Sequence, residues 1–192
     1  MEDYAWERKS TTWKALKPLR DFNTTHESDE TTQQHHLRLW PRFHISLEVI
    51  EQWLYPHYCD VNSVNNYGWL NFDEVSFSET LMSISQLAGL HIIAQYEPYV
   101  RTKEASTPFD GFACDPKDKK HWQEKRTWRV PPIVIDVSTL PSIPAYSEVN
   151  GPFQLVEGHS RLGYLLAMRR TGLLTNESQH RVYRMYVRDS SK

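Results

Sequence analysis

The most informative hydrophobic pattern of the chain lies in its C-terminal third. A short apolar run, residues 153–156, precedes a polar turn at residues 157–161, Glu-Gly-His-Ser-Arg. Leucines then recur at helical spacing from Leu162, and Gly172 stands where a helix commonly ends. The pattern predicts a buried strand, a tight turn containing one glycine, and a helix.

The rest of the chain predicts a mixed arrangement of strands and helices. Alternating or β-branched apolar runs predict strands, and 3.6-residue apolar stripes behind Ser capping residues predict helices. We expect strands at 37–45, 90–96, 133–137 and 180–188, and helices at 46–55 and 76–88. The helix at 76–88 rests on a capping box, Ser76 with Glu79. The predicted fold class is α/β (mixed α+β), a small sheet flanked by helices.

Length and composition indicate one domain with extensions. The chain has 192 residues and a formal net charge of −2, so its overall charge predicts neither nucleic-acid nor membrane binding. Residues 1–36 are polar and irregular, and we expect a partly mobile N-terminal arm there. Residues 37–192 form the predicted domain, with a basic loop insertion at 101–129.

Cysteine use and hydropathy bear on location. The two cysteines, Cys59 and Cys114, lie far apart and form no metal or redox motif. The N-terminal residues lack an apolar segment, and no apolar run approaches the length of about 20 residues that spans a bilayer. We therefore expect a cytoplasmic protein that does not contact membranes. The pair His35-His36 has no carboxylate or cysteine at ligand spacing, so no protein-ligated metal site is predicted.

The turn at residues 157–161 has the chemistry of an anion site. The first turn of a helix presents unpaired amide N–H groups and partial positive charge. Gly158 allows close backbone approach, Ser160 offers a hydroxyl, and Arg161 can bind two oxygens at once. Glu157 and His159 are candidates for acid–base work. The alternative is a plain strand-to-helix connection, with Ser160 as the capping residue and Arg161 solvated.

Residues 101–129 form a second informative stretch, with eight Lys or Arg against five Asp or Glu. Basic charge beside aromatic rings is what a single-stranded nucleic acid needs, because charges follow its backbone and rings stack on its bases. The alternative is a solvated surface loop whose tryptophans pack on the core. The candidate nucleic-acid contacts are Lys117, Lys119, Lys120, Trp122, Lys125, Arg126 and Trp128.

Asp136 stands near the end of the strand predicted at 133–137, where α/β folds gather functional groups. It is a candidate auxiliary residue of the site. The alternative is that its carboxylate caps the turn that begins at Ser138.

The segment 156–162, Val-Glu-Gly-His-Ser-Arg-Leu, resembles the (Asp/Glu/Gly)-Gly-x-x-Arg signature of the ParB/sulfiredoxin superfamily. In that family the loop opens a helix and binds nucleotide phosphates. The upstream Val-Pro-Pro-Ile-Val-Ile-Asp at 130–136 is similar to the family's Pro-Ile-hydrophobic strand. Two features depart from the pattern. The sulfiredoxin catalytic cysteine is absent, and the Glu-Arg-Arg of partition proteins is His-Ser-Arg here.

The resemblance implies an enzyme that binds a nucleotide and either hydrolyses it or transfers its phosphoryl group. A DNase activity is a further expectation. A short chain without a helix-turn-helix signature looks nearer to the plasmid fertility-inhibition type than to partition proteins. In this scheme Gly158, His159, Ser160 and Arg161 hold the phosphates. Glu157 orients water or Mg²⁺, and His159 is a candidate general acid. The implied cofactors are ATP or CTP, with Mg²⁺.

Two other functions stay open at this stage. The first is a non-catalytic interaction or inhibitor protein of mobile-element origin, which would bind a protein partner. The second is a nucleic-acid-binding protein, with DNA as its partner and no hydrolysis. Both follow from the same near-neutral composition, glycine turn and basic aromatic stretch.

Overall fold

The computed structural model describes residues 9–20 and 29–188 and has mixed α+β content, which confirms the predicted fold class. The chain divides into two compact units. Among the described residues, the first comprises 9–20, 29–77, 139–149 and 185–188, and the second comprises 78–138 and 150–184. Within the described part of the chain, no helix is long and apolar enough to cross a membrane.

The first unit is mainly helical. Its helices, each shorter than about four turns, are α1 (Thr11–Ala15), α2 (Thr32–Phe43), α3 (Leu47–Val49), the π-helical segment Ile50–Leu54, α4 (Tyr55–His57) and α5 (Val61–Tyr67). The predicted capping residue Ser46 accepts a hydrogen bond from the N–H of Val49 and begins α3. A short polar side chain thus defines the start of α3.

The strand predicted at 37–45 is wrong, because these residues belong largely to α2. Thr31 and Gln34 form a reciprocal capping box that starts the helix before the apolar run. The buried residues His35, Leu39 and Phe43 then follow one another at intervals of four. Leu37, which alternation placed on the buried side of a strand, is 70% exposed.

Aromatic packing holds part of the predicted arm against the first unit. Trp13 in α1 is fully buried, and its ring stacks on that of Tyr58 with centroids 5.4 Å apart. Its ring also lies 5.5 Å from that of Phe72. These contacts show that α1 is packed structure. Residues 1–8 and 21–28 of the predicted arm lie outside the described residues.

A four-stranded sheet of order β1-β4-β2-β3 forms the framework of the site. The strands are β1 (Val75–Ser83), β2 (Ile133–Asp136), β3 (Phe153–Glu157) and β4 (Gln179–Val187). Strands β2 and β3 are antiparallel, with Asp136 opposite Phe153 and Ile133 opposite Glu157. All residues of β2 are buried, as its β-branched composition predicts.

The helices of the second unit are α6 (Ile84–Ala88), α7 (Glu97–Glu104), α8 (Pro116–Lys125) and α9 (His159–Arg170), and a 3₁₀ turn spans Val137–Thr139. The helix predicted to start at Ser76 starts eight residues later, because the capping box is formed by Ser83 with Gln86. The strand predicted at 90–96 reduces to one parallel bridge between His91 and Gln154.

Helices α7 and α9 approach closely at Gly163. A β-carbon at this position would lie 2.4 Å from Cβ of Lys103 and 2.7 Å from the carbonyl oxygen of Val100. Neither group moves easily, because the oxygen is backbone and the Cβ is the first atom of its side chain. The two helices can therefore pack at this distance only with glycine at 163.

We predict that Gly163→Ala destabilises the protein by about 1–3 kcal/mol, the usual effect of overpacking. Chemical denaturation followed by circular dichroism measures this. Gly89→Ala is the matched control, because a β-carbon there meets nothing closer than 3.5 Å. An equal loss in both variants, or none at Gly163, would contradict the packing described.

Candidate functional site

The turn between β3 and α9 has the predicted strand–glycine–helix form. Gly158 is the N-cap residue of α9 and adopts a left-handed conformation, with φ of 107°. A β-carbon at Gly158 would lie 2.5 Å from Cβ of Pro132. Both the backbone conformation and the lack of space require glycine here. Since glycine has no side chain, α9 begins without a side-chain cap.

The side chain of Arg161 connects this turn to the neighbouring chain segment. Its Nη1 donates a hydrogen bond of 3.1 Å to the carbonyl oxygen of Val130, and its Nη2 lies 3.7 Å from Oε1 of Glu157. Burial lowers the pKa of Arg161, and the charge of Glu157 opposes that shift. The guanidinium therefore joins the turn to the segment that leads into β2.

The other two polar residues of the turn contact α7 and the residue before it. The ring of His159 is packed against that of Tyr96, with centroids 4.4 Å apart, and the residue is 8% exposed. Ser160 Oγ and Tyr99 Oη are joined by a hydrogen bond of 2.7 Å on the exposed side. Ser160 and Tyr99 thus present hydroxyl groups beside the first turn of α9.

Two charged residues of the basic stretch also approach the turn. Arg129 Nε donates a hydrogen bond of 2.7 Å to Oδ1 of Asp118. Both members of this ion pair act electrostatically on Arg161, Asp118 raising its pKa and Arg129 lowering it. Arg161 therefore lies near charged side chains of both signs.

The stretch predicted as a basic loop contains the end of α7 and all of α8. Trp122 and Trp128 are core residues, 1% and 2% exposed, and their rings meet edge to face. This agrees with the second of the two interpretations, in which the tryptophans pack on the core. Their rings offer no face for stacking on a base. The flanking cations lie outside, with Lys117, Lys120, Lys125 and Arg126 exposed and Lys119 half-buried. DNA contact through these cations stays a prediction.

Asp136 is 4% exposed, and both of its carboxylate oxygens accept hydrogen bonds. The backbone N–H and hydroxyl of Ser138 donate to Oδ1, as its alternative capping role predicts. Nε and Nη2 of Arg184 donate to Oδ2, at 3.0 and 2.6 Å. Because Asp136 pairs with Phe153 and Glu157 pairs with Ile133, Asp136 lies at the far end of the strand pair from the turn. The structure does not bring it together with Glu157.

Sequence reasoning missed several residues of this region. Pro132 closes the space at Gly158, and Tyr96 and Tyr99 contact the turn from across the unit. For Tyr96 and Tyr99, the sequence signal was their helical spacing on either side of Pro98, which lies in the first turn of α7. That spacing predicts a helix but does not predict that α7 contacts the turn at residues 157–161.

Across residues 9–20 and 29–188, no group of three or more His, Cys, Asp and Glu side chains is arranged to hold a metal ion. No protein-family model, curated protein or solved structure matches the chain.

A buried histidine beside the basic stretch gives a pH-dependent prediction. His180 is 4% exposed, and its Nδ1 lies 2.9 Å from Oγ1 of Thr127. Burial lowers the pKa of His180 from 6.5 to about 4. The unfolded chain therefore binds a proton below pH 6.5 that the folded chain refuses, so stability falls as the pH drops from 6.5 towards 4.

We predict that His180→Gln, whose amide can still bond Thr127, removes about 1–2 kcal/mol of the stability loss between pH 7 and 5. Urea denaturation of both proteins at the two pH values measures the difference. Other titrating groups, including buried His35, affect both proteins alike. Identical pH dependence in the two would contradict a depressed pKa at His180.

Proposed function

We propose that this protein binds a nucleotide, whose phosphates occupy the turn at residues 157–161, as in the ParB/sulfiredoxin-like proteins that the sequence resembles. The observation that carries the proposal is the left-handed Gly158 between β3 and α9. It leads directly into a helix whose first N–H groups donate no hydrogen bond to a capping side chain.

The helix supports phosphate binding through its dipole. Helix α9 has 12 residues, long enough for full alignment of the peptide dipoles. An anion at such an N-terminus is stabilised by about 0.3–1 kcal/mol, and by up to about 2 kcal/mol where it is partly buried. The hydrogen bond between Ser160 and Tyr99 uses the proton of one hydroxyl, so the other hydroxyl adds one donor at the same place.

Arg161 has a different task from the clamp that the resemblance implies. Its hydrogen bond to Val130 and its proximity to Glu157 favour a positioning role, in which Arg161 holds the turn in place. Its positive charge then acts on the phosphates from a distance, without direct contact. Arg161 is therefore a poor choice for a test of binding, because its replacement would also release the turn.

Phosphoryl transfer is the chemistry that we assign to Glu157. Its side chain is 25% exposed, whereas His159 is enclosed against Tyr96 and is poorly placed to meet a substrate as general acid. Mg²⁺ bound to a nucleotide takes one or two protein carboxylates, and Glu157 is the carboxylate that would hold it. The same Mg²⁺-supported chemistry would serve a DNase activity.

Binding is tested by calorimetric titration of ATP, ADP and CTP, each with Mg²⁺, into wild type and Ser160→Asp. A carboxylate in the first turn stabilises the helix but repels a phosphate, so we expect a folded variant. Its affinity should fall at least about tenfold, or about 1.4 kcal/mol.

Ser85→Asp is the matched control, because Ser85 holds the same second position in α6 that Ser160 holds in α9. It should bind as wild type does. A folded wild type that binds none of the three nucleotides, or an equal loss in both variants, would refute the proposal.

Catalysis is tested separately with Glu157→Gln. We expect phosphate release to fall by about 10²–10⁴-fold, the usual contribution of a group that moves or orients a proton. Nucleotide affinity should change much less, because the amide keeps the size of the side chain. Hydrolysis at the wild-type rate would exclude Glu157 from the reaction and leave nucleotide binding intact.

A further inference from the structure

A cavity lies at the opposite end of β2 and β3 from the turn. Its volume is about 210 Å³, and it lies wholly within the second unit. A cavity of about 150 Å³ holds a benzene ring, so this one has room for a ring and a few more atoms. The lining residues are Thr80, Leu81, Met82, Gln86, Val134, Asp136, Phe153 and Arg184.

The walls of the cavity divide into an apolar body and a polar end. Met82 and Val134 are core residues, and Leu81 and Phe153 add further apolar surface. The polar side chains are Thr80, Gln86 and the Asp136–Arg184 ion pair. Such a lining suits a small amphipathic molecule better than a free inorganic ion.

The hydrogen bonds within the walls determine the charge of the occupant. Both carboxylate oxygens of Asp136 accept hydrogen bonds, Oδ1 from Ser138 and Oδ2 from Arg184. The oxygen Oε1 of Gln86 accepts the N–H of Ser83 in the capping box. The acceptors among the lining side-chain amide and carboxylate groups are therefore already used.

The other polar side chains of the lining can all donate hydrogen bonds. A guanidinium carries five N–H donors in a planar fork, so one arginine can bind an aspartate and a second carboxylate together. Asp136 is the buried positioning residue of this pair, with a side chain 6% exposed, whereas that of Arg184 is 39% exposed. The amide Nε2 of Gln86 and the hydroxyl of Thr80 add donors of their own.

The geometry points to a binding site for a small organic monocarboxylate with an apolar body about the size of one ring. Its carboxylate lies against Arg184, and its body lies against Met82, Val134 and Phe153. This site is separate from the turn at residues 157–161 and does not depend on nucleotide binding there.

The test uses benzoate as the probe and benzamide as its uncharged counterpart, each titrated calorimetrically into the full chain. A ligand of this size should bind with a Kd of about 1 mM or tighter. Benzamide should bind at least about tenfold more weakly. No benzoate binding to folded wild type at about ten times that Kd, or equal binding of the two, would overturn the inference.

Two variants locate the site. Thr80→Phe fills the cavity from β1, leaves both members of the ion pair in the chain, and should abolish benzoate binding. Ser78→Phe, on the same strand but outside the lining, should leave it unchanged. Binding that survives Thr80→Phe, or that is lost in Ser78→Phe alone, would contradict this location.

The charge requirement is tested with the double variant Asp136→Asn/Arg184→Gln, which leaves no unpaired buried charge. It should lose the preference for benzoate over benzamide. A denaturation curve shows whether this variant is folded. If it is unfolded, the comparison of Thr80→Phe with Ser78→Phe tests the site instead. Ser160→Asp should bind benzoate normally, and loss of benzoate binding there would show that the probe occupies the turn.

Discussion

The absence of a β-carbon at Gly158 is the constraint on which the candidate site depends. Cβ of Pro132 lies 2.5 Å from the position that this carbon would take, and the sheet holds Pro132 because its carbonyl oxygen accepts the N–H of Tyr183 at 2.8 Å. The guanidinium of Arg161 closes the same space from another side, 3.0 Å from the position of the missing carbon. The start of α9 is therefore held against the sheet, and any anion bound there meets a rigid helix terminus.

The two ends of the β2–β3 pair carry different chemistry. At one end Glu157 and Arg161 face each other at 3.7 Å beneath a helix start, an arrangement suited to a phosphate. At the other end the carboxylate of Asp136 accepts two hydrogen bonds from Arg184 and holds this arginine beside a cavity with an apolar body. In both places a carboxylate positions an arginine. Arg161 holds in place the backbone N–H groups that would bind an anion, whereas Arg184 would itself donate hydrogen bonds to one.

Local patterns predicted the turn because its information is local. A β-branched or apolar run, one glycine and leucines at helical spacing lie within 20 consecutive residues, and the structure places β3, Gly158 and α9 there. Elsewhere two patterns competed. Ser76 with Glu79 and Ser83 with Gln86 satisfy the same capping-box rule, and only pairing within the sheet decides that the first pair lies in β1.

Long-range contacts were beyond sequence reasoning. Arg184 pairs with Asp136 across 48 positions, and nothing local marks either as the other's partner. Composition likewise cannot tell a tryptophan that stacks on a base from one that packs in a core. Trp122 has four charged neighbours within three positions and is nevertheless 1% exposed, because edge-to-face contacts with Trp128 and Phe112 bury it.

The central claim is that the backbone of the β3–α9 turn receives a phosphate. The most direct measurement is a ¹H–¹⁵N spectrum of the full chain during titration with ATP and Mg²⁺. We predict that the amide signals of Gly158, His159, Ser160 and Arg161 shift together and saturate with one dissociation constant. Saturable shifts confined to other segments, with these four amides unchanged, would contradict the account.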